Sequence, residues 1–324
     1  MSNLLASATS ANQATVSFQV IALAVSLDGG ALASTSSYGN LHVWDLQEME
    51  LLVQFHVQKQ DCRCIAWSPQ HGGDSRWLAG GYTDGTFRLF ALPDAHVLLK
   101  MRPHVCTINQ LVFSWNGEIL LSGDVTGRIA VSSVLTRTTL RVIGEHAGSE
   151  LRSLQCIAAK LCGERWLATS ADGLVTVWSA NWERKRFLLE HSLTLPAQFK
   201  AGGRKDVSGT GDTHGVALLG GSDSDSLLWA GGAGHRVLLS YHLSGKKTSQ
   251  VTSLSSALTC LAVSTDGHFV AIGTQGRSLR LVDVNTGYFR DAVSHSDGIN
   301  AASFSRSGKL LATAAGNEIL LWTP

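Results

Sequence analysis

Residues 165–182 read RWLATSADGLVTVWSANW, and this stretch decides the fold. Apolar residues alternate with small or polar ones in two short runs, which is the period expected of β-strands. Between the runs, Asp172-Gly173 favours the positive φ angles of a tight turn, so the stretch predicts an antiparallel pair of strands. An isolated pair is only marginally stable, and therefore further strands are expected to pack beside it.

The second run of this pair recurs along the whole chain. Its seven copies are LHVWDL at 41–46, FRLF at 87–90, IAVS at 129–132, VTVW at 175–178, LLSY at 238–241, LRLV at 279–282 and ILLW at 319–322. All but one of the steps between them are about 40–46 residues, a period typical of WD repeats, in which four strands form one propeller blade. We therefore predict an all-β fold in which residues 1–324 form a single seven-bladed WD-repeat β-propeller.

The two ends of the chain are expected to share the last blade. The sequence finishes after the third strand of the last repeat, and the segment before Phe18 could supply the missing fourth strand. We predict that this N-terminal strand pairs with the last blade and closes the ring, because an open sheet edge promotes aggregation. The one long repeat step contains residues 197–215, AQFKAGGRKDVSGTGDTHG, whose composition predicts a flexible insertion in blade five.

Composition excludes several classes of partner. A net charge of +1 provides no long-range field for nucleic acid, and no apolar run is long enough to cross a membrane. The six cysteines show no zinc-ligand spacing, and no calcium-binding loop or dinucleotide fingerprint is present. We therefore expect no cofactor, no metal, no nucleic acid partner and no membrane partner, and we expect the chain to reside in the cytoplasm.

One repeat contains the complete polar tetrad that WD repeats use internally. His146, Ser170, Asp172 and Trp178 have its spacing, which predicts a buried hydrogen-bond network. In the third repeat, Thr126 stands at the position of the tetrad aspartate, so that network is expected to be incomplete.

Such a set of residue types also occurs in catalytic triads. Here the histidine position repeats before several blades, as His56, His104, His191 and His295, whether or not a serine and an aspartate accompany it. That repetition favours a structural network, and no G-x-S-x-G nucleophile elbow is present. We predict no catalytic residues and a protein that is not an enzyme.

Function is then expected to lie in the loops on one face of the propeller, because rigid sheets that carry variable loops make good binding surfaces. Arginine, tyrosine and carboxylate side chains suit specific contacts with other proteins. The candidate protein-binding residues are Lys59, Asp61, Arg63, Tyr82, Thr83, Asp124, Glu150, Arg152, Gln275, Asp297 and Asn300.

Several stretches resemble one particular family. Residues 165–182, Leu193-Thr-Leu-Pro196, Ser278-Leu-Arg-Leu-Val-Asp283 and Asn317-Glu-Ile-Leu-Leu-Trp322 are similar to the last propeller of the centriolar WD repeat-containing protein ninety family. The resemblance implies a scaffold at the centriole or basal body that supports centriole structure or cilium assembly. It also implies centriolar, ciliary or tubulin-associated protein partners and a location at the cytoskeleton, centrosome or cilium.

A different function for the same fold is an adaptor that presents substrates to a ubiquitin ligase or to another multiprotein complex. Such adaptors often carry a W-D-x-R motif, and Trp44-Asp45-Leu46-Gln47 lacks its arginine. The adaptor is therefore the less favoured hypothesis.

Overall fold

The structure is a computed structural model. It describes residues 13–15, 19–36, 39–48, 50–56, 60–69, 76–92, 94, 96–160, 163–182, 186–194, 216–220, 227–231, 237–242, 247–264, 267–293 and 295–323. Within these ranges every extended element is a β-strand, which confirms the all-β prediction. No helix within these ranges has the length and apolar character needed to span a membrane. The predicted insertion at 197–215 and the candidate residue Lys59 lie outside the described residues.

The strands are numbered in chain order. The first fourteen are β1 Gln13–Thr15, β2 Val20–Val25, β3 Ala31–Ser36, β4 Asn40–Asp45, β5 Leu51–His56, β6 Cys62–Trp67, β7 Arg76–Tyr82, β8 Phe87–Leu92, β9 His96–Met101, β10 Ile108–Phe113, β11 Ile119–Asp124, β12 Ile129–Ser133, β13 Thr138–Ile143 and β14 Leu151–Lys160. The others are β15 Gly163–Ser170, β16 Leu174–Asn181, β17 Arg186–Thr194, β18 Val216–Gly220, β19 Leu227–Gly231, β20 Val237–His242, β21 Lys247–Ser253, β22 Leu258–Val263, β23 Phe269–Thr274, β24 Ser278–Asp283, β25 Phe289–Val293, β26 Ile299–Phe304, β27 Leu311–Ala315 and β28 Glu318–Trp322.

These strands form four-stranded antiparallel sheets of the propeller type. Six sheets consist of four consecutive strands each, beginning with β2, β6, β10, β14, β18 and β22, and we refer to them as sheets one to six. In sheet seven, β26, β27 and β28 are followed by β1, whose residue Gln13 pairs with Leu320 and whose residue Thr15 pairs with Glu318. Each of the seven repeated runs in the sequence lies in the third strand of its sheet.

The first strands of the sheets lie side by side, and the apolar core fills the spaces between neighbouring sheets. Strand β2 contacts β6, β6 contacts β10, and the series continues through β14, β18, β22 and β26 to β2 again. Between sheets one and two, the ring of Phe55 lies 4.7 Å from that of Phe90. Small residues occupy the second strands, and Ala31–Ser36 is buried throughout, because a sheet packs on each of its two faces.

The turns between first and second strands have the conformation that their sequences predict. Gly29 and Gly308 have φ angles of 75° and 68°, which glycine adopts at little cost. In the turn of sheet one, Ser26 Oγ donates to Asp28 Oδ1 and accepts a hydrogen bond from the backbone N–H of Ala31. The turn thus satisfies its own polar groups where the chain reverses.

Candidate functional site

The four tetrad residues of sheet four form one continuous hydrogen-bonded chain, with an additional residue in it. Trp178 Nε1 donates to Thr176 Oγ1 over 2.9 Å, and Thr176 Oγ1 lies 2.7 Å from His146 Nε2. His146 Nδ1 lies 2.6 Å from Ser170 Oγ, which donates to Asp172 Oδ1 over 2.7 Å. Sequence reasoning identified four of the five members and missed Thr176.

The direction of these hydrogen bonds selects the neutral imidazole of His146. Because Ser170 gives its proton to Asp172, it must accept from His146 Nδ1–H, and Nε2 is then left to accept from Thr176. Burial lowers the pKa of His146, in agreement with that assignment. For Asp172, burial alone would raise the pKa, but hydrogen bonds from Ser170 and the backbone of Leu174 hold it below its usual range.

This geometry does not suit nucleophilic catalysis. In a catalytic triad the histidine lies between the nucleophile and the carboxylate and takes the proton of the nucleophile. In sheet four the hydroxyl of Ser170 lies between His146 and Asp172, and its proton is directed to the carboxylate. His146 and Ser170 are also buried, with 1% and 3% of their surface exposed, so a substrate has no access to them.

Sheet three contains a buried histidine–carboxylate network that the sequence did not predict. It is still incomplete, as expected, because Ser132 stands at the position of the tetrad tryptophan and its buried Oγ has no hydrogen-bond partner among the described residues. His104 Nδ1 lies 2.8 Å from Asp124 Oδ2, and His104 Nε2 lies 2.8 Å from Ser122 Oγ. The other carboxylate oxygen of Asp124 accepts from the backbone and hydroxyl of Thr126 and from the backbone N–H of Arg128. The acidic residue of this sheet, Asp124, stands two residues before the tetrad aspartate position, and from there its carboxylate contacts His104 directly.

The carboxylate of Asp124 is stabilised in its charged form. Burial alone would raise its pKa, but hydrogen bonds from His104, Thr126 and Arg128 hold that pKa well below the usual range. Both side chains of the pair with His104 are 1% exposed.

The other repeated histidines differ in environment. His295 Nε2 lies 2.8 Å from Thr313 Oγ1, which also accepts from the indole of Trp322, so sheet seven has a shorter version of the network. His56 and His191 are exposed, contrary to the expectation that the repeated position is structural. His56 belongs to the end of β5 and contacts Asn40 of sheet one, and His191 lies within β17.

A cavity of about 960 Å³ lies at the beginning of the first strands. In six of the seven described sheets, the second residue of the first strand is a β-bulge. Bulges redirect side chains and are frequent beside functional sites. The bulge residues, all of which line the cavity, are Ile21, Arg63, Asn109, Arg152, Thr259 and Asn300.

Three bulge residues join neighbouring sheets. Asn109 Nδ2 donates to the carbonyl of Leu151 over 2.7 Å, and Asn300 Nδ2 donates to the carbonyl of Val20 over 2.6 Å. Thr259 Oγ1 donates in the same way to the carbonyl oxygen at the start of β26. In each case the acceptor is the residue just before the bulge position of the next sheet, so the bulges provide a repeated link around the cavity.

The structure brings five of the predicted protein-binding residues together in the lining of this cavity. They are Asp61, Arg63, Glu150, Arg152 and Asn300. Gln275 and Asp297 are exposed in neighbouring loops of sheets six and seven. Thr83 is partly buried, and its backbone N–H donates to the carbonyl of Asp61.

Two predicted binding residues are buried, and their assignment to a protein-binding surface was wrong. Asp124 is 1% exposed because it belongs to the network of sheet three. Tyr82 is 0% exposed, and the guanidinium of Arg88 lies 4.9 Å from its ring centroid. Gly80 leaves room for this ring, since a Cβ there would approach the Tyr82 hydroxyl to 3.2 Å. Burial also raises the pKa of Tyr82 well above its usual range.

The cavity offers hydrogen-bonding and charged groups rather than reactive ones. Arg152 Nη2 lies 2.9 Å from Glu150 Oε2, and Asn109 Nδ2 donates to the other carboxylate oxygen over 3.1 Å. Among the residues that the structure describes, no three His, Cys, Asp or Glu side chains are grouped so that they could hold a metal ion. The arrangement can therefore recognise polar or charged groups that enter the cavity.

Comparison with known proteins places the chain in a family. A family model described as "WDR90, 4th beta-propeller" matches residues 19–323. WD repeat-containing protein 90 of Xenopus tropicalis is 33% identical over 313 residues, which cover 94% of this chain and 17% of the relative. Its human counterpart is 34% identical over 304 residues, which cover 90% and 17%. The mouse counterpart is 33% identical over 300 residues, which cover 90% and 16%.

The chain thus spans about one sixth of the length of these relatives. The match covers nearly all of the sheets and includes the cavity with its bulge residues. The chain belongs to the WD repeat-containing protein 90 family and corresponds to the propeller that its family model describes as the fourth.

Proposed function

We propose that this chain is a non-catalytic scaffold that binds other proteins through the bulge end of its cavity, at the centriole or basal body. The single observation that carries the proposal is the cavity, in which five of the predicted protein-binding residues converge at or just before the start of rigid strands. Propellers of the WD-repeat family generally act as interaction scaffolds, and the chain belongs to a family of them. In this role the protein supports centriole structure or cilium assembly in the cytoplasm.

The scaffold that we propose is one seven-bladed ring closed by the N-terminal strand. The contacts of β26 with β2 support closure, as do the pairing of β1 with β28 and the hydrogen bond from Asn300 to Val20. A closed ring gives the loops a rigid frame, which reduces the entropy lost when a partner binds.

Removal of the closing strand tests this ring. Deletion of residues 1–15 is expected to lower the melting temperature by at least about 5 °C, because it exposes the edge of β28 and removes its hydrogen bonds. Deletion of residues 1–12 retains β1 and serves as the matched control. Equal melting temperatures for the two deletions, measured by circular dichroism, would contradict closure by β1.

The proposed function is tested by proximity labelling in ciliated cells. The chain is fused to a biotin ligase, and the labelled proteins are compared for the unmodified chain, Arg63→Glu and Arg186→Glu. Arg63 lines the cavity, whereas Arg186 is exposed in β17, far from it. We expect centriolar and ciliary proteins to be enriched by the unmodified chain and by Arg186→Glu, and to be lost with Arg63→Glu.

Two other outcomes have definite meanings. Enrichment of cullin adaptors in place of centriolar proteins would support the ubiquitin-ligase adaptor and contradict the centriolar scaffold. Identical labelling by all three proteins would show that partners bind elsewhere than at the cavity. Circular dichroism of the purified variants establishes that each one is folded before the comparison is made.

A further inference from the structure

The charged side chains that line the cavity differ in whether they have interaction partners within the chain. Four of them line it, and Glu150 and Arg152 pair with each other over 2.9 Å. Asp61 also takes part in an interaction within the chain. Arg63 is exposed, and among the described residues it has neither a hydrogen-bond partner nor an ion-pair partner. Arg63 is therefore the charged side chain of the cavity lining whose donors have no partner among the described residues.

Arg63 differs from most other polar residues of the bulge series, whose donors have partners within the chain. Asn109, Thr259 and Asn300 occupy the same position in other sheets and donate to a carbonyl of the next sheet. Arg152 is held by Glu150. A guanidinium carries five N–H donors in a planar fork. Arg63 lines the cavity and is exposed, so its donors are accessible to a ligand.

At the end of the first strands opposite the bulges, a cation–π contact joins two sheets. Trp115 follows β10 and Arg306 follows β26, and the Arg306 guanidinium lies 4.8 Å from the centroid of a Trp115 ring. Their sheets are not neighbours, since β10 contacts β6 and β14 while β26 contacts β2 and β22. The pair therefore reaches across the space between the first strands at the end opposite the bulges.

We propose that the bulge end binds a carboxylate side chain on an extended segment of a partner protein, with Arg63 as its bidentate ion-pair partner. The proposal rests on the scaffold function proposed above and specifies its recognition chemistry. The planar fork of Arg63, whose donors are unused, matches the two oxygens of one carboxylate. A phosphate would bring nearly twice the negative charge into a lining whose two arginines are already balanced by two carboxylates. The cavity volume of about 960 Å³ falls within the range of ligand pockets, and Ala22, Ala301 and Ala302 leave room for a peptide main chain.

Fluorescence anisotropy with the full chain tests this chemistry. The probe is a capped, fluorescein-labelled peptide of about twelve residues in which Glu and Gly alternate, and the comparison peptide has Gln in place of Glu. We expect the Glu peptide to bind about fivefold more tightly than the Gln peptide. Binding should weaken when salt is raised from about 50 mM to about 300 mM, since the contact is exposed.

Substitutions locate the contact. Arg63→Gln is expected to weaken binding of the Glu peptide about fivefold, and Arg63→Lys to weaken it less, because lysine keeps the charge and loses the bidentate geometry. Arg186→Gln removes an equal charge from β17 and should leave binding unchanged. Melting curves of all three variants verify that the loss does not come from unfolding.

Three results would overturn the proposal: equal affinity for the two peptides, unchanged binding by Arg63→Gln, or no binding of the Glu peptide up to about 1 mM. Tighter binding of a peptide with phosphoserine in place of Glu would also overturn it in favour of a phosphate ligand. If the peptide fails while proximity labelling still depends on Arg63, the scaffold function stands and only the carboxylate chemistry is wrong. If the peptide binds but centriolar proteins are not labelled, the carboxylate chemistry stands and the centriolar scaffold function is wrong.

Discussion

Asp124→Ala is expected to lower the free energy of unfolding by about 3–5 kcal/mol, because it removes a buried carboxylate that accepts four hydrogen bonds. The carboxylate contacts His104 over 2.8 Å, and it also accepts hydrogen bonds from Thr126 and Arg128. Its removal leaves several donors buried without a partner, and each such donor costs about 1–3 kcal/mol. Urea unfolding at pH 7 measures the change.

The matched control is Asp84→Ala in sheet two. Asp84 Oδ1 accepts from the backbone and hydroxyl of Thr86, as Asp124 does from Thr126, but it is only partly buried and no histidine contacts it in the described part of the chain. We expect a loss of about 1 kcal/mol for this substitution. Similar losses for the two variants would show that Asp124 stabilises the turn alone and that its contact with His104 contributes little.

The Asp124→Ala substitution should also change how the stability of the protein depends on acid pH. Because the pKa of Asp124 is lower in the folded chain than in the unfolded one, its stabilisation is fully present above the unfolded value of 3.8. It is lost as the pH falls through the lower, folded pKa. The difference in unfolding free energy between the unmodified chain and Asp124→Ala should therefore be constant above about pH 5 and shrink below pH 4.

Gly127→Ala is expected to destabilise the fold by more than about 4 kcal/mol, since it combines an unfavourable backbone conformation with a backbone collision. Gly127 has a φ of 85°, and a Cβ there would lie 1.9 Å from the carbonyl oxygen of His146 and 2.5 Å from that of Ser149. Neither oxygen can move alone, because both belong to the loop that positions the imidazole of His146. The collision therefore also disturbs the network of sheet four.

Gly287→Ala separates the two contributions. Gly287 has a similar φ of 68°, but a Cβ there meets nothing within 4 Å. Its substitution should lower the free energy of unfolding by only roughly 1–2 kcal/mol, which is the cost of the left-handed conformation. Urea unfolding of both variants provides the comparison, and a Gly127→Ala variant as stable as Gly287→Ala would refute the collision.

Much of the fold could be predicted from the sequence because its signals are local. The alternation in the third strands and the Asp172-Gly173 turn depend on a few adjacent residues, and the structure confirms them, with a φ of 82° at Gly173. The complete tetrad was also recognisable, because its members stand at a familiar spacing around Trp178. In sheet three that spacing is altered, so the contact between His104 and Asp124 was not predicted.

The candidate binding surface was predicted less well. Tyr82 and Asp124 were assigned to exposed loops, yet each is the last residue of a second strand and turns inward. The bulges were missed entirely, because a register shift is a relation between two strands and leaves no mark in either strand alone. The nearest signal was the recurrence of polar residues such as Asn109 and Asn300 near the start of otherwise apolar first strands.

The sequence by itself determined that this chain forms repeated antiparallel strands with tight turns, since both properties arise from neighbouring residues. Only the tertiary structure decided which polar side chains are buried and which line the cavity. Arg63 and Asp124 each lie near one end of a largely apolar strand, but a bulge directs the first to solvent and His104 holds the second inside. That distinction depends on strand register and on residues distant in the chain, which local patterns do not encode.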